Sequence, residues 1–318
     1  MAKLVRISTV GAQQYTVDKP RSYQDMTDKI IAHWRKELDQ VLPDKPDLIV
    51  LPEVCDRPTN LNFANTKIAA YRKVRGRQVQ DYFARLARQH HCYIAYSAER
   101  DLDDGTSRNS TVMLDRKGGI AGIYNKNHVV IEENTQGNVK YGKDAPLIQT
   151  DFGRVACAIC FDLNFDELRL KYAAAKPDLV IFSSMYHGGL MQAYWAYSCR
   201  AYFVSAIAQT AACSNIISPI GEPVAATTNY FDFVTATVNL DYCMAHLDYN
   251  GEKLAALKKK YGPGVTITDP GYLGSVLITS ETDASSAKAM AREFKIELLD
   301  DYFARALAHR HAPGHIEA

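Results

Sequence analysis

Short apolar runs alternate with amphipathic stretches along most of the chain. Residues 3–10 alternate in the manner of a strand. Met26, Ile30, Trp34, Leu38 and Val41 then fall on one stripe of a helix predicted over 25–42. Leu48-Ile49-Val50-Leu51 predicts a buried strand over 47–52. Pro52 ends its ladder because it has no N–H to donate, and Glu53 is left at the tip. A polar loop comes next. Val79, Phe83 and Leu86 mark a second helix ending near His90, and Tyr93-Ile94-Ala95-Tyr96 opens another strand. Asp103-Asp104-Gly105 is a turn signal, and Lys117-Gly118-Gly119 closes a hairpin after a strand over 109–115.

The second half keeps this rhythm. Val155-Ala156-Cys157-Ala158-Ile159-Cys160 predicts a buried strand, and the acidic stretch after it predicts a helix to about Ala175. A strand over 178–183, a helix over 190–201 and several strands between 203 and about 241 complete an α/β pattern without internal repeats. Gly262-Pro263-Gly264 breaks the chain. Beyond it, Ser285 or Ser286 is placed to cap one last long helix striped by Met290, Phe294, Leu298 and Phe303. The expected division is a main domain over 1–280 and a helical tail over 281–318, packed on its own core or docked on a partner subunit.

Composition excludes several classes of function. In 318 residues, 47% hydrophobic and 23% charged side chains describe an ordinary globular chain. A formal net charge of +1 leaves no basic footprint for nucleic acid and no field for a membrane surface. No stretch approaches the ~20 apolar residues of a membrane span, and the opening segment lacks the apolar block of a signal peptide. Seven scattered cysteines suit reduced thiols in the cytoplasm. Cys157 and Cys160 have the C-x-x-C spacing, but on one strand a separation of three turns their side chains to opposite faces. Neither a redox pair nor a metal site is expected, and no cofactor is called for.

Three polar residues stand at the ends of apolar segments. Cys160 ends its strand beside amides that favour an anion. Glu53 ends another strand, and Lys126 comes directly after Ile123-Tyr124-Asn125. A thiol, a carboxylate and an ammonium are the set that thiol-dependent acyl transfer needs.

In this order the segments resemble the nitrilase superfamily of carbon–nitrogen hydrolases. The resemblance is carried by Leu51-Pro52-Glu53, Tyr124-Asn125-Lys126 and Ile159-Cys160-Phe161-Asp162 with Phe165-Asp166-Glu167. Phe152-Gly153-Arg154-Val155, Pro177 to Ser184 and Ser218-Pro219-Ile220-Gly221-Glu222-Pro223-Val224 agree with its flanking segments. It covers roughly residues 3 to 280 and implies a four-layer α-β-β-α sandwich. It also implies that Glu53 is a general base, Cys160 the nucleophile, and Lys126, with the Phe161 N–H, the oxyanion partner.

A second glutamate is expected shortly after the lysine. Glu133 is preferred and Glu132 is the alternative, otherwise a substrate contact. Ser184, Tyr186 and His187 lie where substrate contacts are expected. The residues after Cys160 are Phe-Asp, whereas nitrile-hydrolysing members tend to show Trp-Glu, so the expected substrate is a small amide or, alternatively, an N-carbamoyl compound. A catalytically silent scaffold is the reading from another class. The family also implies a homodimer formed through the helices near 166–175 and 190–201, the second carrying Tyr194, Trp195 and Tyr197, with Tyr202 just beyond.

Overall fold

The computed structural model describes residues 2–12, 15–61, 67–209 and 212–317, and divides the chain into two compact units. The larger, Val5–Thr237, holds two six-stranded sheets. Its elements in chain order are β1 (Leu4–Val10), α1 (Tyr23–Leu38), β2 (Leu48–Val50), α2 (Ile68–Arg75), α3 (Gln78–His90), β3 (Tyr93–Asp101), β4 (Ser107–Leu114) and β5 (Ile120–Asn125). Next come α4 (Ile131–Thr135), β6 (Ile148–Gln149), β7 (Arg154–Ile159), α5 (Asp166–Ala175), β8 (Leu179–Ser184), α6 (Met191–Cys199), β9 (Tyr202–Ile207), β10 (Asn215–Ile217), β11 (Pro223–Ala226) and β12 (Phe233–Asn239).

One sheet runs β12-β1-β2-β3-β4-β5 and the other β11-β10-β9-β8-β7-β6. The middle of each is parallel, β1 with β2 and β3 in one and β7 with β8 and β9 in the other. Parallel neighbours need helical crossovers, which cover the outer faces. Helix α1 buries Met26, Ile30, Trp34 and Leu38, and α3 buries Val79, Phe83 and Ala87. Most of these side chains share one core with Ile49, Leu51, Ile94, Tyr96 and Val112. Each buried Leu, Ile or Phe contributes roughly 1.5–3 kcal/mol by leaving water. On the other sheet, α5 and α6 bury Leu168, Tyr172, Trp195 and Cys199.

The inner faces meet through small polar side chains. Ser183 Oγ donates to the Leu51 carbonyl at 2.8 Å, and Thr9 Oγ1 donates to that of Ser205 at 2.6 Å. The first bond joins the strand that leads to Glu53 to the neighbour of the strand that ends in Cys160, and the second joins β1 to β9. The layers are those of the α-β-β-α sandwich.

Several local expectations change. The polar stretch after Glu53 contains α2, whose buried face is Ile68, Tyr71 and Arg75; a buried arginine paired with Asp56 hid it from a hydrophobic pattern. The α-helix expected at once after Cys160 is preceded by a short 3-10 helix over Cys160–Asn164, so α5 begins six residues past the thiol, at Asp166. Trp195 and Tyr202 are buried, and Trp195 Nε1 donates to the Leu163 carbonyl, so those rings belong to the core rather than to a subunit interface.

The smaller unit comprises residues 1–4 and 238–318. Here β13 (Tyr242–His246), α7 (Gly251–Tyr261), β14 (Val265–Thr268), β15 (Ser275–Ser280), α8 (Ala287–Glu293) and α9 (Leu299–Arg310) surround a core of Cys243, Ala245, Leu257, Val276, Ile278 and Met290. The boundary read near residue 280 lies inside this unit. Ser286 caps α8 by accepting from Ala289 N at 3.2 Å. The single long helix expected there is two helices. Lys295 takes a left-handed φ of 53°, and Leu298 bridges to Ala245 in β13, which stops one helix before the next begins.

Gly142 closes the excursion that carries Lys126. Its N–H donates to the Lys126 carbonyl at 2.7 Å, and any Cβ at 142 would collide with the Asn125 carbonyl. Gly142→Ala is expected to cost about 1–3 kcal/mol in denaturant unfolding. Gly251→Ala, with open space around it, is expected to stay within about 0.5 kcal/mol of the parent.

Candidate active site

Strand ends bring the polar residues together. Glu53 lies just past β2, Lys126 just past β5 in the same sheet, and Cys160 just past β7 in the other. Lys126 is 2% exposed, and its Nζ donates to Glu53 Oε1 and to Glu133 Oε2, both at 2.8 Å. Glu53 and Glu133 are 4% and 6% exposed. One ammonium thus lies between two buried carboxylates. Burial works against the Lys126 charge, but the Glu53 and Glu133 carboxylates outweigh it and hold the group protonated.

The backbone turns sharply at the thiol. Cys160 has φ of +47°, a left-handed conformation that costs a non-glycine residue on the order of 1 kcal/mol. Asp162 braces the bend. Its Oδ2 accepts from Ile159 N at 3.0 Å and from the Tyr124 hydroxyl at 2.7 Å, while Oδ1 accepts from His128 N at 2.8 Å. The carboxylate therefore ties the lysine segment to the cysteine bend. Burial pushes the Cys160 thiol up to about 12. Glu53 adds to that rise, and Lys126 and the Met185 N–H oppose it. The resting sulfur is a neutral thiol beside a carboxylate.

The other predicted residues take different positions. Glu133 joins Lys126 as the preferred second glutamate, whereas Glu132 is exposed and stays outside this group. Phe161 packs edge-on against Phe165. Ser184 folds the loop after β8, with its Oγ donating to the Tyr186 carbonyl and accepting from Tyr186 N. The Tyr186 hydroxyl accepts from Asn164 Nδ2 at 3.0 Å; burial pushes it up to about 12. His187 Nδ1 accepts from Gly189 N, its Nε2 lies 3.2 Å from Asn215 Nδ2, and burial lowers its pKa. Cys157 is buried in β7, and burial raises its thiol. Two participants escaped sequence reading, Asn109 and His128. Asn109 sits in a strand whose side chains are mostly polar, without any motif to mark it. His128 is two residues past the lysine.

Among the described residues, no cluster of His, Cys, Asp and Glu suits a metal ion, and no helix is long and apolar enough to cross a membrane.

The sequence pattern of the carbon–nitrogen hydrolases matches residues 6–245, and the chain belongs to that family. Among individual relatives, deaminated glutathione amidase of Mus musculus is 33% identical over 101 residues, which is 29% of this chain and 31% of that protein. Hydrolase C26A3.11 of Schizosaccharomyces pombe is 21% identical over 250 residues, 67% of this chain and 76% of the other. Matches to the first curated relatives span only about a third of their length. The fold is similar to that of an amidase from Nesterenkonia sp. AN1, with a TM-score of 0.62, 14% identity and coverage of 81% and 97% of the two chains. Saccharomyces cerevisiae Nit3 gives a TM-score of 0.61 at 15% identity, covering 85% and 97%.

His128 supplies a pH-dependent brace. Burial lowers its pKa, but bonds to Asp162 and Glu167 at 3.0 and 2.8 Å raise it overall. A raised value means the stability is fully present below the ordinary histidine value and is lost as pH rises through the folded one. His128→Phe is expected to lower unfolding free energy at pH 6 by about 1 kcal/mol or less, given solvent screening at Glu167, and by a smaller amount at pH 9. Denaturant titrations at the two pH values measure the difference.

Proposed function

We propose that the protein hydrolyses a non-peptide C–N bond in a small amide through a thioester on Cys160. The observation that carries this reading is the Lys126 ammonium between the Glu53 and Glu133 carboxylates, beside a thiol on a strained bend. With the thiol held neutral up to about 12, attack needs a base at the moment of reaction. Glu53 takes the Sγ proton as sulfur bonds to the amide carbon. The C=O electron pair moves onto oxygen, where the Lys126 ammonium and the Phe161 N–H offset the charge. Collapse expels ammonia or an amine, which takes the proton from Glu53 and leaves the thioester. Glu53 then deprotonates water, which attacks the same carbon, and the acid departs as sulfur regains its proton. Glu133 holds the ammonium in place through a second 2.8 Å bond.

Relatives named as amidases favour an amide over a nitrile. In one variant of the Nesterenkonia amidase, the acetamide moiety of fluoroacetamide adds covalently at the active-site cysteine. N-carbamoyl compounds share the electrophilic carbon and belong in the same assay. The setting we propose is the cytoplasm. The proposed assembly is a homodimer through α5 and α6, where Leu170, Leu190 and Tyr194 are exposed. Tyr194→Glu with Leu190→Glu is expected to halve the mass in sedimentation; an unchanged monomer mass in the parent overturns the assembly.

The test of chemistry is ammonia release from amides, ureas and N-carbamoyl amino acids. Cys160→Ala is expected to lower turnover by about 10³-fold or more, and Lys126→Met by about 10²–10³. Acid-quenched turnover of the parent is expected to show an acyl adduct on Cys160 by intact mass, which reports the acyl part, and Glu53→Gln is expected to lose it. A folded parent that releases ammonia from no compound and forms no adduct overturns the reading in favour of a silent scaffold.

A further inference from the structure

The geometry points to Asn109 as a positioning residue that sets the distance and orientation between the two glutamates and the lysine. This inference rests on the proposed amide chemistry. Asn109 is 1% exposed on β4, and its Nδ2 donates to Glu53 Oε1 at 2.8 Å and to Glu133 Oε1 at 3.1 Å. A primary amide has two N–H donors, and here each reaches one carboxylate. The same residue's carbonyl accepts from Lys126 N at 2.8 Å. One side chain and one peptide group therefore hold all three charged residues of the site.

The amide can face only one way. Ser97 Oγ accepts from Val54 N at 3.1 Å, which leaves its hydrogen to donate to Asn109 Oδ1 at 3.1 Å. Carboxylates accept and cannot donate, so a flipped amide would put oxygen against oxygen at both glutamates and a donor against Ser97. The chain Val54–Ser97–Asn109 begins one residue after Glu53 and returns to its side chain.

The physical need is plain. Two buried carboxylates sharing one ammonium repel each other, and an unrelieved surplus of negative charge in a dry site would swing one of them away. A neutral amide bonded to both keeps each acid against Lys126 without adding a second cation. That also keeps Glu53 aimed at the thiol.

The experiment compares Asn109→Leu, which removes the donors at similar size, with Ser97→Ala, which leaves the amide but removes what orients it. Peptide-resolved mass spectrometry tracks alkylation by iodoacetamide at Cys160, with exposed Cys213 as the internal reference. This readout needs no known substrate. Asn109→Leu is expected to slow Cys160 alkylation ten- to a hundredfold, with Cys213 unchanged and a cooperative thermal melt retained. Ser97→Ala is expected to fall between it and the parent, slower by at least threefold. On any amide the parent turns over, the loss is expected in kcat, with KM within threefold. Parent-like Cys160 alkylation in folded Asn109→Leu, or a loss confined to KM, overturns the assignment. If Asn109→Leu does not fold, Ser97→Ala decides by the same threefold criterion. A parent that hydrolyses nothing defeats the proposed chemistry instead, and the alkylation rates still separate the variants.

Discussion

Everything at the strand ends depends on one ammonium shared by two carboxylates inside the protein. Two acids at this depth are unfavourable unless a positive charge and good donors meet them. Lys126 supplies the charge, and Asn109 and the Val130 N–H, 3.0 Å from Glu133 Oε2, supply donors. The cluster keeps a net negative character even so, and that character raises the neighbouring thiol. The same burial that makes the carboxylates costly makes the sulfur a weak acid. Hence the proposed division of labour: sulfur waits as a thiol, and the base acts only when an electrophile arrives.

Much of this was written in the sequence because each polar residue ends an apolar run. A buried strand carries its pattern in Leu48–Val50 or in Val155–Ile159, and the polar side chain just beyond such a run must emerge at its tip. Glu53, Lys126 and Cys160 were readable for that reason. Glu133 could be chosen over Glu132 only weakly, since adjacent residues on a short helix differ by which side they present, and the depth of the lysine decides it. Asn109 was invisible. Its strand reads Ser-Arg-Asn-Ser-Thr, and nothing in such a run tells which polar side chain faces a carboxylate.

The elements that escaped did so for similar physical reasons. Helix α2 buries an arginine through an ion pair, and a hydrophobic count discards a charged residue. In the tail, Met290, Phe294 and Leu298 keep a helical spacing across the break, so the pattern predicts one helix where two stand. Periodicity does not register a single left-handed residue, and Lys295 interrupts the backbone without interrupting the stripe.

The bend at residue 160 sets folding preference against the side chain it carries. Glycine or asparagine would occupy a left-handed position more comfortably than cysteine, and either would relax the backbone there. Sulfur sits instead on a left-handed residue that carries a Cβ, so its presence opposes what backbone preference alone would select.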